Sequence, residues 1–194
     1  KAGIGGGMYV QTGVASLSNA TVATNAVQLD GGGVVAELGT SVVLKNSLVA
    51  RNIREIEGSN PDAQDDLLGD FVATSSYNWI GNGTGATGIV DGVSGNHVGT
   101  DAGPLDPLIG PLTNNGGPTQ THLLYPTSPL IDNGEPSFNP ADFNPALSLD
   151  QRRETRVLDA KRDSVARVDI GAVEAKTTLL ADLNGDGRVS LVDL

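Results

Sequence analysis

The sequence predicts an all-β chain of repeated, stacked turns, and three observations support this. Gly-Gly-Gly followed by an apolar pair begins at Gly5 and again at Gly31, 26 residues later. Two related stretches, SNATVATN from Ser18 and KNSLVARN from Lys45, are 27 residues apart. A period of this length is typical of a solenoid, in which each turn packs on its neighbours. No apolar pattern of helical period interrupts the repeats, which disfavours helical and leucine-rich repeats.

Strands are predicted within each repeat, at residues 14–22 and 41–49, which are rich in Val, Leu, Ser and Thr. A polar and acidic insertion is predicted near residues 53–70. A looser third unit follows it, with strands predicted at residues 71–74 and 77–80. The stretch ARVDIGAVE, which ends at Glu174, is predicted to form the last strand.

Asparagines recur at equivalent positions of the two repeats. Asn19 matches Asn46, and Asn25 matches Asn52. Stacked turns would place such amides above one another as a ladder that stabilises parallel strands. The alternative is that each asparagine is only a turn residue that tolerates left-handed backbone. Both roles are structural.

Composition excludes several classes of function. The net charge of −11 argues against binding to nucleic acid or to an anionic membrane surface. The absence of cysteine excludes disulfides, thiolate chemistry and cysteine-based zinc sites. No apolar run approaches the ~20 residues of a transmembrane helix. The first residues, KAGIGGGMYV, begin in the middle of the repeat pattern, so we expect the chain to be a piece of a longer protein.

The glycine and asparagine repeats resemble the right-handed parallel β-helix of polymorphic outer-membrane and pectate-lyase-like proteins. Three later stretches are similar to the choice-of-anchor Q domain of bacterial extracellular proteins: DPLIGPLTNNGGPTQTHLLYPTSPLIDNG, DQRR and ARVDIGAVE. The resemblance covers nearly all of the chain before residue 176. It implies about three β-helix turns in residues 1–100, an irregular β-rich cap in 101–176, and a secreted, extracellular or cell-surface location. Arg153 stands where that family usually has glycine, so a different turn is expected there.

The final stretch, ADLNGDGRVSLVDL within residues 177–194, has the ligand spacing of an EF-hand loop. It is similar to the first calcium repeat of a type I dockerin, although the chain ends before the helix that would follow. The resemblance implies calcium as the cofactor and a cohesin or other surface scaffold as the partner. We expect an affinity of roughly 10⁻⁴ to 10⁻³ M. The expected ligands are Asp182, Asn184, Asp186, the Arg188 carbonyl and Asp193, with Gly187 at the turn.

The acidic insertion could bind a cation or contact a substrate. The interpretation that the sequence favours is a solvated loop, because runs of like charge are usually exposed. Its carboxylates are Glu55, Glu57, Asp62, Asp65, Asp66 and Asp70.

Aromatic, histidine and charged pairs give further candidates. Tyr77 and Trp79 alternate on a predicted strand and could form a sugar-stacking platform, with packing in the core or cap as the alternative. His97 has no partners at ligand or triad spacing, and neither has His122, which we expect to bond a backbone carbonyl. Asp150 is expected to pair with Arg152 or Arg153 across a turn.

The repeats suggest no catalytic residue. Stacking places Lys45 over Ser18 and Arg51 over Thr24, so no carboxylate aligns with another as glycoside hydrolysis requires. We therefore expect a non-catalytic module with a structural, adhesive or carbohydrate-contacting role. The alternative is a fragment of a polysaccharide lyase or glycoside hydrolase. Self-association is expected through residues 2–17, because an open turn leaves strand edges unpaired.

Overall fold

The computed structural model describes residues 2–55 and 63–176, which belong to two compact units. One unit ends at Pro107, and the other begins at Leu108. Every strand found in the described ranges belongs to the first unit, and these ranges contain no α-helix. Consequently, no described segment could cross a membrane as an apolar helix. The prediction of an all-β chain is confirmed for this part of the sequence.

The strands are short and follow the repeats. The first repeat contains β1 (Ala2–Ile4), β2 (Met8–Val10), β3 (Val14–Ser18) and β4 (Thr21–Ala23). The second contains β5 (Ala26–Asp30), β6 (Val34–Ala36), β7 (Ser41–Lys45) and β8 (Leu48–Ala50). Shorter strands follow: β9 (Ile53–Arg54), β10 (Ala63–Gln64), β11 (Leu67–Asp70), β12 (Trp79–Ile80), β13 (Ala86–Thr87) and β14 (His97–Val98).

Each strand of the first repeat pairs in parallel with its counterpart in the second. These pairs are β1 with β5, β2 with β6, β3 with β7 and β4 with β8. Later strands extend three of the sheets, which run β1-β5-β9-β10, β2-β6-β11-β13 and β4-β8-β12-β14. Strand β10 differs from the other named strands, because it pairs antiparallel with β9. The register of β3 and β7 places Lys45 beside Ser18, as the repeats predicted.

The core of the first unit is filled mainly by the second repeat. Its inward side chains have no exposed surface, whereas their paired residues in the first repeat are half-buried. Complete burial of such a side chain stabilises the folded state by roughly 1.5–3 kcal/mol. Each inward residue of the second repeat therefore stabilises the fold more than its partner in the first repeat does. The matched pairs are Met8 with Val34, Ala15 with Val42, Leu17 with Leu44, and Val22 with Val49.

The Gly-Gly-Gly turns are required by close approach of the backbone. A Cβ on Gly33 would lie 2.2 Å from the carbonyl oxygen of Asp66 and 2.9 Å from Nδ2 of Asn52. Gly31, two residues earlier, has a φ of 72°, a conformation that favours glycine. These two constraints give a physical reason for the repeated motif.

The described part of the second unit is irregular. It contains isolated bridges, such as Thr113 with Thr121, and a short 3-10 helix at Pro140–Asp142. Asn139 caps that helix, because its Oδ1 accepts a hydrogen bond from the Ala141 N–H at 3.1 Å. Its buried apolar residues include Ile109, Leu130, Val168 and Ile170.

Several strand predictions are wrong. Residues 71–74 contribute only a single bridge, from Phe71 to Val42. The strand predicted at 77–80 begins at Trp79, because Tyr77 has a φ of 53° that breaks the extended backbone. Residues 166–174 contain one bridge, from Arg167 to Leu158, and a bend at residues 170–172, but no strand. Conversely, the segment predicted as an insertion contains β9, β10 and β11.

Candidate functional site

A chain of hydrogen-bonded side chains, the amide ladder, runs through the first unit from Asn25 through Asn52 to Asp66. The main-chain N–H and Nδ2 of Asn25 both donate to Oδ1 of Asn52, at 3.1 and 2.8 Å. The same two groups of Asn52 donate to Oδ1 of Asp66, at 2.9 and 2.7 Å. The predicted stacking of Asn25 on Asn52 is confirmed, and Asp66 occupies the next rung.

Asp66 closes the amide ladder with its second oxygen. Oδ2 accepts from Nε2 of Gln64 and from the Asn82 N–H, both at 2.8 Å. The residue has no exposed surface, and burial raises the pKa of Asp66 to about 6 even though these hydrogen bonds favour the charged form. At neutral pH the carboxylate is therefore ionised, and both of its oxygens act only as acceptors.

The prediction that the acidic segment is a solvated loop is wrong for Asp66. Hydrogen bonds from Asn52, Gln64 and Asn82 replace water around the Asp66 carboxylate. Asp65 beside it is half-buried and accepts from the Gly31 N–H at 2.9 Å, and burial raises the pKa of Asp65. Asp70 is exposed, as predicted. Glu57 and Asp62 lie outside the described residues.

A second ladder connects Ala20, Ser47, Asn78 and Asn96. The Ala20 N–H donates to Oγ of Ser47 at 3.2 Å, and the Ser47 N–H donates to Oδ1 of Asn78 at 3.0 Å. The N–H and Nδ2 of Asn78 donate to Oδ1 of Asn96, at 3.1 and 2.9 Å. Sequence reasoning missed this ladder, because its rungs differ in residue type and spacing. The sequence does place Ser and Gly close to Asn78 and Asn96, a composition that is typical of turns.

The backbone of Asn19 and of Asn46 fits the alternative interpretation, in which each asparagine occupies a turn. Both have left-handed backbone, with φ values of 49° and 47°. Neither polar atom of the Asn19 side chain has a hydrogen-bond partner, although the residue is buried. The amide of Asn19 therefore takes no part in a ladder.

Tyr77 and Trp79 lie in different environments. Trp79 is buried, and its ring centroid is 5.1 Å from that of His97. Tyr77 is half-buried, and its ring covers Gly95, where an added Cβ would lie 2.5 Å from Cδ1. A sugar platform formed by these two rings stays a prediction.

Two arginines and four carboxylates form a buried charge network in the second unit. Arg152 donates to Oδ2 of Asp150 through Nε and Nη2, at 3.0 and 2.8 Å, so the predicted ion pair is confirmed. Burial alone would raise the pKa of Asp150, but hydrogen bonds from the Glu174 N–H, Arg152 and the Glu154 N–H lower it below its ordinary value. Arg153 is exposed and takes no part in this pair, and its φ is 71°. This φ lies in the left-handed region that favours glycine, and the expectation of a different turn at Arg153 stays a prediction.

The other half of the network centres on Glu174. Its Oε1 accepts from Nη1 of Arg156 at 2.9 Å, and its Oε2 accepts from the Asp169 N–H at 3.2 Å. Asp169 in turn accepts from the Asp132 N–H at 2.7 Å and from the Ala175 N–H at 2.5 Å. These side chains replace the strand that the sequence predicted, because they satisfy the local backbone groups directly.

Negative groups are in excess within the buried charge network. Burial, together with the charge of Asp169, raises the pKa of Glu174 to about 8. Burial also raises the pKa of Asp169 to about 7, and the charge of Asp132 acts in the same direction. Since two buried carboxylates resist joint ionisation, the Asp169–Glu174 pair binds a proton at a higher pH than an isolated carboxyl group does.

His122 is buried, and its Nδ1 lies 2.7 Å from the carbonyl oxygen of Gly110. The prediction that this histidine bonds a backbone carbonyl is confirmed. The imidazole therefore helps to close the loop between residues 110 and 122.

The expected calcium ligands, from Asp182 to Asp193, lie outside the described residues. Within residues 2–55 and 63–176, no three His, Asp or Glu side chains are grouped in a way that could hold a metal ion. Calcium binding by the tail stays a prediction.

Comparison of the chain with protein families, curated proteins and solved structures finds no match. The resemblances to a choice-of-anchor Q domain and to a dockerin therefore stay predictions.

Proposed function

We propose that this chain is a non-catalytic module of a larger extracellular or cell-surface assembly, with a structural or adhesive role. Its first unit is a right-handed parallel β-helix of about three turns. Parallel pairing of strands one repeat apart supports this architecture, and right-handed crossovers are the general rule for parallel strands. In this proposal, residues 101–176 are an irregular, β-rich cap of the choice-of-anchor Q type.

One observation carries the proposal: polar side chains at repeated positions of the first unit bond to the neighbouring turn. Asn25, Asn52 and Asp66 illustrate this, since their hydrogen bonds join one turn to the next. The charged side chains nearby are also paired, as Arg54 is with Asp30 and Arg51 with Asp106. Groups used in this way stabilise a stack, whereas a catalytic site needs groups that converge on a substrate.

The tail attaches the module to its assembly. In this proposal the loop from Asp182 to Asp193 binds calcium and docks to a cohesin or another surface scaffold. Support comes from the ligand spacing in the sequence. Polysaccharide contact is part of the same proposal, with the half-buried ring of Tyr77 as the accessible part of the predicted platform and the ring of Trp79 buried behind the surface.

The second candidate function is that of a polysaccharide lyase or glycoside hydrolase fragment. The pKa of Asp66 favours it, because a carboxyl group whose pKa is raised to about 6 can act as an acid near neutral pH. The position of Asp66 opposes it, because the side chain is buried and both of its oxygens accept hydrogen bonds from the protein.

An activity assay of the full chain distinguishes the two. The chain is incubated with pectate, alginate and neutral polysaccharides in the presence of Ca²⁺, and unsaturated products and reducing ends are measured. We expect no turnover. Turnover that Asp66→Asn abolishes in a chain that still unfolds cooperatively, and that the exposed Asp70→Asn preserves, would establish an enzyme and overturn the proposal.

A further inference from the structure

The described residues contain three Asn–Gly dipeptides, which differ in the hydrogen bonding of the glycine N–H. They are Asn82–Gly83, Asn115–Gly116 and Asn133–Gly134. An asparagine followed by glycine is chemically labile, because the unhindered glycine nitrogen can attack the side-chain amide. The attack requires that nitrogen to lose its proton and to rotate towards Cγ of the asparagine. A glycine N–H held in a backbone hydrogen bond is protected on both counts.

Two of the three dipeptides are protected in this way. The Gly83 N–H donates to the Gly99 carbonyl at 3.0 Å, and the Gly134 N–H donates to the Val168 carbonyl at 2.9 Å. Asn82 is also buried, and its Nδ2 donates to the Gln64 carbonyl and to Asp101.

The third dipeptide lies in an open loop. Every residue from 111 to 120 is exposed except Asn115, which is half-buried. The Gly116 N–H donates only to the exposed side chain of Asn114, at 3.2 Å. No atom lies within 4 Å of the position that a Cβ of Gly116 would occupy, so this residue has room to rotate.

We propose that Asn115 is a site of spontaneous deamidation in this protein. The deprotonated nitrogen of Gly116 forms a bond to Cγ of Asn115, the Cγ–Nδ2 bond breaks, and ammonia leaves with the displaced proton. Water then opens the resulting succinimide at either carbonyl. The products are aspartate and isoaspartate at position 115.

The reaction changes the local structure because the amide of Asn115 is a donor. Its Nδ2 donates to the carbonyl oxygen of Thr121 at 2.7 Å and to Oγ1 of Thr121 at 3.2 Å. A carboxylate in that place sets oxygen against the Thr121 carbonyl. The contact it weakens lies beside the bridge between Thr113 and Thr121 and next to buried His122. Deamidation therefore weakens the attachment of this loop to Thr121. This inference does not depend on the proposed function.

The first test follows the modification itself. The full chain is aged in mildly alkaline and mildly acidic buffer, and each Asn–Gly peptide is analysed by mass spectrometry. We expect aspartate and isoaspartate to accumulate at residue 115, faster in alkali, while Asn82 and Asn133 persist. Equal conversion at Asn82 or Asn133 would overturn the proposal. So would an Asn115 that stays intact in the folded chain but reacts in the unfolded chain.

The second test concerns the structural consequence, with matched variants. Asn115→Asp reproduces the product, and Asn114→Asp adds the same charge one residue earlier while preserving the acceptor for the Gly116 N–H. We expect a lower melting temperature for Asn115→Asp than for Asn114→Asp. Equal melting temperatures would show that the Asn115 amide does not hold the loop, which would overturn this consequence.

Discussion

Oδ1 of Asp66 lies 2.9 Å from the main-chain nitrogen of Asn52 and 2.7 Å from its Nδ2, so a carboxylate takes the place that an amide occupies one turn earlier. Asn52 is at once an acceptor from Asn25 and a donor to Asp66. Asp66 accepts with both of its oxygens.

Replacing Asp66 by asparagine should destabilise the first unit, even though asparagine is the residue of the preceding rungs. The new amide would place a donor opposite Gln64 Nε2 and the Asn82 N–H. Leaving buried donors unsatisfied costs about 1–3 kcal/mol. Denaturant unfolding near neutral pH measures the loss, with Asp70→Asn as a control that should stay within about 0.5 kcal/mol of the unmodified chain. Equal stability of Asp66→Asn and the unmodified chain would contradict the role of Asp66.

The stability of the second unit should fall as the pH rises from about 5 to about 8. The folded-state pKa values of Asp169 and Glu174, about 7 and about 8, lie above the ordinary values of 3.8 and 4.5. The folded unit therefore holds more protons than the unfolded chain in this window. Stability is fully present below the ordinary values and is lost as the pH passes the folded-state values. Melting curves across the window measure the slope.

The variant Glu174→Gln tests the cause of that slope. It removes one ionisable member of the Asp169–Glu174 pair, so the pH dependence above about pH 6 should become shallower. Asp66, whose pKa is about 6, belongs to the first unit and is unchanged in this variant. An unchanged slope in Glu174→Gln would mean that another group carries the dependence.

Arg153→Gly should stabilise the second unit by roughly 0.5–1 kcal/mol. Arg153 has a φ of 71°, which strains any residue with a Cβ, and its side chain is exposed. The hydrogen bond from its N–H to the Asp150 carbonyl, at 2.9 Å, is available to glycine as well. Arg153→Ala is the control, because it removes the guanidinium but keeps the strain. Thermal denaturation measures the stability of both variants. An equal rise in melting temperature in the two would assign the effect to the lost charge and not to the backbone.

Gly33→Ala should cost about 3 kcal/mol or more, because the added methyl group overlaps the Asp66 carbonyl. Gly103→Ala is the matched control, because a Cβ at residue 103 would lie more than 4 Å from any neighbouring atom. We expect the first protein to unfold at much lower denaturant concentration and the second to resemble the unmodified chain. Similar midpoints for the two variants would refute the close approach at Gly33.

Calcium should bind weakly at the tail without stabilising the rest of the chain. Asp182→Ala should reduce affinity more than Asn184→Ala, because it removes a negative ligand and not a neutral one. Calorimetry measures the affinity, and melting curves with Ca²⁺ and with chelator measure coupling. A calcium-dependent shift in melting that survives deletion of residues 182–194 would place the ion elsewhere.

The sequence predicted those features that repeat at a constant interval. Asn25 and Asn52 could be matched because their repeats have nearly equal length. Asp66 could not, because it follows Asn52 by only 14 residues and its segment looks like a charged loop. Its burial depends on donors from Gln64 and Asn82, which no local pattern brings together.

The wrong strand at residues 166–174 has a related cause. Val168 and Ile170 are buried as an alternating pattern predicts, but Asp169 and Glu174 are buried too. Their partners, Asp132 and Arg156, are distant in sequence. An alternating apolar pattern indicates which side chains are buried, but it does not show what bonds to the backbone. Here buried carboxylates accept hydrogen bonds from backbone N–H groups, so no neighbouring strand is needed.

The different chemistry of the rungs also gives the amide ladder a direction of growth. A duplicated repeat inserted before Asn52 would bring an asparagine that can accept from one side and donate to the other, as Asn52 does. A repeat inserted directly after Asp66 would meet a carboxylate that has no hydrogen to donate. Relatives that lengthened by internal duplication should therefore have gained their extra repeats on the Asn25 side.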